Sequence, residues 1–435
     1  MLFRTSLFLL VLSTIGNAAG TSEVGIDLER ARGYFREARL LCEKDGGELW
    51  SRSMCVPIAF IHPQTREVVT NLPDSAGALV SQDGVFLGTW PDTLAVANSS
   101  LVWHGTRWTT LMWPLPDGKT ARASLMMHES FHNIQEKLGF SARTPSNAHL
   151  DSREGRTWLR LEWRALRVAL TSSGSEQQRA IRDALVFRAY RRQLFSGSAD
   201  SESRMEMHEG LAEYTGIRLC GLNADSSRKY LAGDLYETRA NAGSFISTFA
   251  YWSGPAYGLL LDEYGVNWRK DLTPDMDLGK LLQAASGIEL PEDPGAAAEE
   301  IAARYDGATV QAEELVREQE HNRKLADFRA RLVDGPVMIL PLMQMNIQYD
   351  PRGMVSMDSL GTVYLTIKIS DAWGILDVSS GGALMATTWT SLRVQAPIDT
   401  IAQQVKGDGW TLQLNDGWEL VPAVRAGDFT LMSRH

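Results

Sequence analysis

The spacing of apolar positions changes character along this chain, and each change marks a different kind of structure. Over residues 23–41 apolar residues recur at helical spacing among many charges, which predicts a first helix. From 48 to 114 the pattern turns to short β-like runs such as "VPIAFI", "GVFLGTW" and "SLVWHGTRWTTLMW". The last holds two Trp-rich strands around His104, Gly105 and Thr106, a hairpin signal. "PLPDGKT" then breaks the sheet, and its "GKT" lacks the earlier glycine that a phosphate-cradling loop needs. From 121 to 331 the helical period returns, predicting helices over 121–138, 154–171, 176–194, 203–219, 254–264, 278–286 and 308–332, with "LPEDPG" as a linker. "DGP" at 334–336 stops the last helix, and β-like runs follow: "VMILPL", "TVYLTIKI", "SLRVQA", "WTLQL" and "FTLM". The chain therefore reads as α+β, with a helix and β-hairpin region over 21–115, a helical region over 116–334 and a β-rich domain over 335–435. No internal repeat is visible.

The first twenty residues stand apart. "MLFRTSLFLLVLSTIGNAAG" carries Arg4, an apolar run over 7–15 and small residues at Gly16, Ala18, Ala19 and Gly20, the pattern of a secretory signal over 1–20. The run is too short to span a bilayer; a buried N-terminal helix is the alternative. The mature protein is expected to be exported, periplasmic or extracellular, without stable membrane insertion. In an oxidising compartment Cys42 and Cys55 are expected to pair, leaving Cys220 as a small buried apolar residue. With 44% apolar and 22% charged residues, the 435-residue chain has an ordinary globular composition. Its net charge of −10 and lack of a Lys/Arg block argue against nucleic acid or anionic lipid as the main partner.

The chemistry concentrates in "MMHESFHNIQ", residues 126–135. His128 and His132 stand four apart, so on a helix both imidazoles point to one side, where they can share a metal ion. Two nitrogens leave a tetrahedral Zn²⁺ short of a third protein ligand and a water. Glu129, rotated from the first histidine, can reach that water as general base. Met127, Phe131, Ile134 and Leu138 give the helix its buried stripe. Two surface or core histidines without a metal, and a zinc site without catalysis, are the bland alternatives.

For the third ligand, "RMEMHEGLAEYTGIRL" (204–219) offers Glu209, with Gly210 and Ala212 small enough for a second helix to come close. Glu213, one turn on, can accept a hydrogen bond from the far nitrogen of a ligand histidine. Glu162 and His208 are rival ligands, and His149 is a candidate for contacting substrate. Glu162 has its own ordinary reading as a buried partner of an arginine such as Arg160 or Arg164. Gln135, where a third histidine would need a glycine-containing continuation, rules against a three-histidine site.

HESFH followed by a helical "EGLAEY" resembles the gluzincins, the thermolysin-like and aminopeptidase N-like zinc metallopeptidases. The resemblance implies a mainly helical zincin-like catalytic domain preceded by a small β-sheet, with His128, His132 and Glu209 holding Zn²⁺, Glu129 as base and Glu213 in the place of the aspartate that supports a ligand histidine. The 76 residues between His132 and Glu209 exceed the spacing in those families and look more like their divergent MA-like bacterial branch. The implied activity is hydrolysis of a peptide or protein substrate by a zinc-activated water. A further donor must meet the developing oxyanion; Tyr257 is the candidate, with Tyr251, Tyr214 and His149 competing. The strand "RWTTLMW" either offers its edge to an extended peptide or is an ordinary buried strand. The contrasting readings are an inactive zinc-binding scaffold that recognises a partner through the C-terminal β-domain, and a structural envelope protein with chance histidines.

Overall fold

Asp27 accepts hydrogen bonds from the backbone N–H groups of Glu29 and Arg30 and so starts α1 (Leu28–Asp45), which Gly46 ends at φ 58°. The computed structural model describes residues 25–140, 146–235, 244–265, 267–349 and 353–434, so the expected signal segment lies outside the described residues. Cys42, at the end of α1, is bonded to Cys55, and Cys220 is buried.

Six strands follow: β1 (Ile58–Ile61), β2 (Glu67–Thr70), β3 (Val80–Gln82), β4 (Val85–Thr89), β5 (Ser99–Trp103) and β6 (Thr106–Met112). They form one sheet in the order β3-β4-β2-β1-β6-β5, with β1 and β6 parallel and the other neighbours antiparallel. The β5–β6 turn is the predicted hairpin; His104 at φ 48° and Gly105 at φ 75° both take the positive φ of a type I′ turn. Both faces of the sheet are covered. Alternation along β1 sends Ile58 and Phe60 into a core with Phe35 of α1, and Ala59 and Ile61 into a second core with Trp90, Trp103 and Trp108.

The next helix, α2 (Lys119–Gln135), joins sheet to helices. Met126 and Met127 enter the core beneath the sheet, whereas Phe131 and Ile134 enter the large helical core. Asn133 donates to the carbonyl of Arg107 in β6 at 3.0 Å, which fixes the helix along the sheet. The helical body comprises α3 (Arg153–Thr171), α4 (Gly174–Leu194), α5 (Ser198–Met205), α6 (Leu211–Leu219), α7 (Ala224–Asp234), α8 (Ala250–Leu261), α9 (Leu278–Ser286), α10 (Pro294–Ala302) and the start of α11 (Gly307–Arg329).

Three expectations are corrected here. The helix expected over 203–219 is broken by a π-helical turn, Glu206–Gly210, between α5 and α6. Helix α8 begins at Ala250, so Gly254 and Pro255 lie inside it; every residue of α8 is buried, and packing overrides the proline. "LPEDPG" is not a linker, because Asp293 caps Gly295 and Ala296 and Pro294 opens α10.

The chain divides into two compact units, at Ala312 and Glu313. The division falls within α11 and not at 334, because Phe328 and Leu332, at and beyond its end, share a small core with Val363 and Leu384 of the β-structure. The second unit holds a seven-stranded and a six-stranded sheet around a core including Met338, Leu340, Ile369, Trp373, Leu376 and Leu412. Burial alternates strictly along Gly374–Val378 and Trp410–Leu414, as expected of sheets with one solvated face. "TVYLTIKI" supplies one strand to each sheet, Thr362–Tyr364 and Ile367–Asp371. Among the described residues no helix is long and apolar enough to cross a membrane.

Candidate metal centre

Small residues let the functional helices close on one another. A Cβ on Gly216 of α6 would stand 2.7 Å from the carbonyl oxygen of Ser124 in α2. One on Gly254 of α8 would stand 2.3 Å from the Cα of Gly210. Glycine at these positions therefore allows backbone to pass against backbone, bringing α2, the π-turn and α8 to one point. Gly210, expected to make room for α2, makes room for α8 instead, and Gly216 serves α2.

At that point His128, His132 and Glu209 converge. The two Nε2 atoms are 3.2 Å apart, and Glu209 Oε2 lies 3.7 Å from that of His128 and 3.6 Å from that of His132. Ligands held about 2.0–2.1 Å from one zinc ion stand about 3.3–3.4 Å apart at the corners of a tetrahedron. The observed edges match this within a few tenths of an ångström, and nitrogen–nitrogen–oxygen is a donor set zinc takes. Among the described residues no other group of three His, Cys, Asp or Glu side chains brings its ligand atoms together in this way.

Each histidine is turned by a partner at its other nitrogen. His128 Nδ1 lies 2.8 Å from Glu213 Oε2, and His132 Nδ1 lies 2.8 Å from Gln135 Oε1. Gln135 Nε2 in turn donates to the carbonyls of Met207 at 3.2 Å and His208 at 2.9 Å. An NH₂ spent on two carbonyls leaves the amide oxygen to accept from His132, so the proton sits on Nδ1. A carboxylate at His128 fixes the same tautomer. In the neutral rings, the form that binds a metal, both Nε2 lone pairs then face Glu209. In the sequence Gln135 serves only to argue against a three-histidine site; its place three residues after His132, on the same side of the helix, is the signal for this further role.

His128 and Glu129 are buried, His132 and Glu209 are half-buried, and the cluster is rich in negative charge. Burial opposes protonation of His128, but Glu209 and Glu213 outweigh it and push the imidazole up to about 10. Burial likewise opposes charging of His132, and Glu209 again raises it. Burial pushes the Glu129 carboxyl up, against the two histidines. Burial would raise Glu209 too, yet His132 and His128 hold it well below the usual carboxylate range. Glu129 is 6% exposed, and its Oε2 has no hydrogen-bond partner. A buried carboxylate oxygen with no donor is costly unless it serves a bound group. Two imidazoles facing three carboxylates favour a cation at their centre.

The oxyanion candidate needs correcting. Tyr257 is fully buried, and its hydroxyl donates to Glu162 at 2.7 Å, away from the histidines. Tyr251, six residues earlier on α8 and so on another face, donates to Glu209 and stacks on His128. Glu162, the rival ligand, is committed to Arg188 and Arg191 of α4, not to the neighbouring arginines of α3. His149 pairs with Glu202 at 2.8 Å and does not reach the cluster. His208 Nδ1 lies 2.8 Å from the other oxygen of Glu209, without hydrogen-bond alignment. Tyr214 binds Asp262. Strand β6 is an inner strand between β1 and β5 with no free edge; the edge strand beside it is β5.

Comparison of this chain with protein-family models, with curated proteins and with solved structures gives no match.

Proposed function

We propose that this protein is an exported zinc-dependent hydrolase of peptide bonds, of gluzincin type. The observation that carries the reading is the triangle His128 Nε2, His132 Nε2 and Glu209 Oε2, with edges of 3.2, 3.7 and 3.6 Å, beside a buried glutamate whose Oε2 has no donor. His128, His132 and Glu209 would hold the ion. When bound, zinc supplies Lewis-acid polarisation of a carbonyl and makes water acidic enough to ionise near neutrality.

The chain's own residues do the rest. Glu129 takes a proton from the attacking water and returns it to the departing amine, a task suited to a carboxylate that burial has made more basic. Tyr251 remains protonated, because burial and Glu209 hold its phenol well above the usual range, and it supplies a hydrogen bond to the oxygen that gains charge. Strand β5, at the edge of the sheet and packed with β6 against α2, offers free backbone groups to an extended peptide. The Cys42–Cys55 bond accords with export.

The test is metal analysis together with digestion of a broad peptide library, on the wild-type protein and Glu129→Gln. The reading expects about one zinc per chain in both, with chelator-sensitive cleavage in the wild type alone. Zinc without cleavage in the wild type points instead to an inactive scaffold, and absence of zinc sinks the metal site.

A further inference from the structure

The ligands on α2 and the ligand on the π-turn belong to segments far apart in sequence, yet one side chain bonds to both. Gln135 accepts from His132 with its oxygen and donates to the carbonyls of Met207 and His208 with its nitrogen. Those two carbonyls lie immediately before Glu209, within Glu206–Gly210. A π-turn widens the backbone ladder and exposes carbonyls that a regular helix would enclose. The amide is almost fully buried, at 4% exposed, so its three hydrogen bonds do not compete with solvent. On its other side the turn is anchored through Glu206, fully buried and bound by two guanidinium nitrogens to Arg188 of α4.

From this geometry we infer that Gln135 is a positioning residue: it couples the orientation of His132 to the π-turn that presents Glu209, so that both ligands are set by one amide. The inference rests on the zinc reading above and adds a residue to it. A side chain that only oriented His132 would need an acceptor alone. One that also holds the turn needs donors as well, and glutamine supplies both where glutamate and methionine do not.

Three variants separate these roles. Gln135→Glu keeps an acceptor for His132 but turns a charged oxygen towards two carbonyl oxygens. Gln135→Met keeps the volume and loses every hydrogen bond. Glu209→Gln weakens the ligand itself. The measurements are zinc affinity against a competing chelator, the visible absorption of the cobalt-substituted protein, which reports ligand geometry, and near-ultraviolet circular dichroism to confirm the fold. Zinc affinity is expected to fall about 10–100-fold in both Gln135 variants, the size expected for loss of a ligand's supporting partner. The cobalt spectrum of Gln135→Glu should shift towards that of Glu209→Gln. If Gln135→Glu is natively folded and matches the wild type in zinc affinity and cobalt spectrum, the coupling is wrong and Gln135 merely orients His132. If the wild type itself takes up neither zinc nor cobalt, the metal-centre reading falls, and this inference with it.

Discussion

The ring of Tyr251 lies face to face with that of His128, with centroids 5.5 Å apart and planes 6° from parallel, while its hydroxyl donates to Glu209. One side chain thus touches two of the three proposed ligands. The stack restrains the His128 imidazole, and the hydroxyl is held at the cluster.

Tyr251→Phe keeps the stack and removes the hydroxyl alone. Bound zinc should remain near one per chain, while kcat for a peptide substrate falls about 10²–10³-fold, the effect of losing one oxyanion donor. A variant with unchanged kcat would return Tyr251 to a packing role.

Protons and zinc compete for the same nitrogens, and the direction of that competition follows from His128. Its imidazole rises from 6.5 to about 10 in the folded protein. A raised histidine contributes stability that is complete below pH 6.5 and is lost as the pH climbs through about 10. Metal binding needs the deprotonated ring, so zinc uptake releases protons across that window. Apparent zinc affinity should climb about tenfold per pH unit for each proton released, and the rise in Tm that zinc confers should grow with pH. Calorimetric titration in buffers of different ionisation enthalpy measures the protons; a pH-independent affinity between pH 6.5 and about 10 contradicts the assigned cluster.

The HESFH helix was legible in the sequence because helical period is a local property: four residues always return a side chain to one side. Glu209 was legible through its small neighbours, although the contact behind the clue differs, since Gly210 meets Gly254 and it is Gly216 that meets α2. The π-turn was not legible, because the apolar pattern of 203–219 runs on through it. Nor was the choice between Tyr251 and Tyr257, two aromatic residues on one fully buried helix, which only tertiary packing separates. Glu162 shows the same limit. Its charge is visible in the sequence, but its partners Arg188 and Arg191 come from the next helix.

The glycine crossings give a stability test with an internal control. Gly254→Ala sets a methyl 2.3 Å from backbone, and Gly216→Ala sets one 2.7 Å from a carbonyl oxygen. Neither neighbour is the end of a flexible chain, so each should cost about 1–3 kcal/mol or more and lower zinc affinity by parting the helices. Gly233, in α7, has nothing within 4 Å of the place a methyl would take, and Gly233→Ala should be neutral or stabilising by up to about 1 kcal/mol. Denaturant midpoints read all three. A Gly254→Ala protein as stable as the wild type would mean that the close approach of the π-turn to α8 is wrong.

Glu162 is a buried glutamate between guanidinium groups and Glu209 a half-buried one facing imidazoles, and loss of the carboxylate should have different effects at each. Glu162 lies between Arg188 and Arg191 and accepts from Tyr257. Removing it leaves two guanidinium groups short of a partner in a site closed to water, a loss of about 3–5 kcal/mol. It touches no proposed ligand, so a folded Glu162→Gln protein should hold as much zinc as the wild type. Glu209 instead faces two histidines that carry their own partners, Glu213 and Gln135. Glu209→Ala should therefore keep its fold and lose its metal. Zinc content measured beside the unfolding midpoint tells the two apart. Zinc retained in Glu209→Ala and lost in a natively folded Glu162→Gln would move the third ligand from the π-turn to α3.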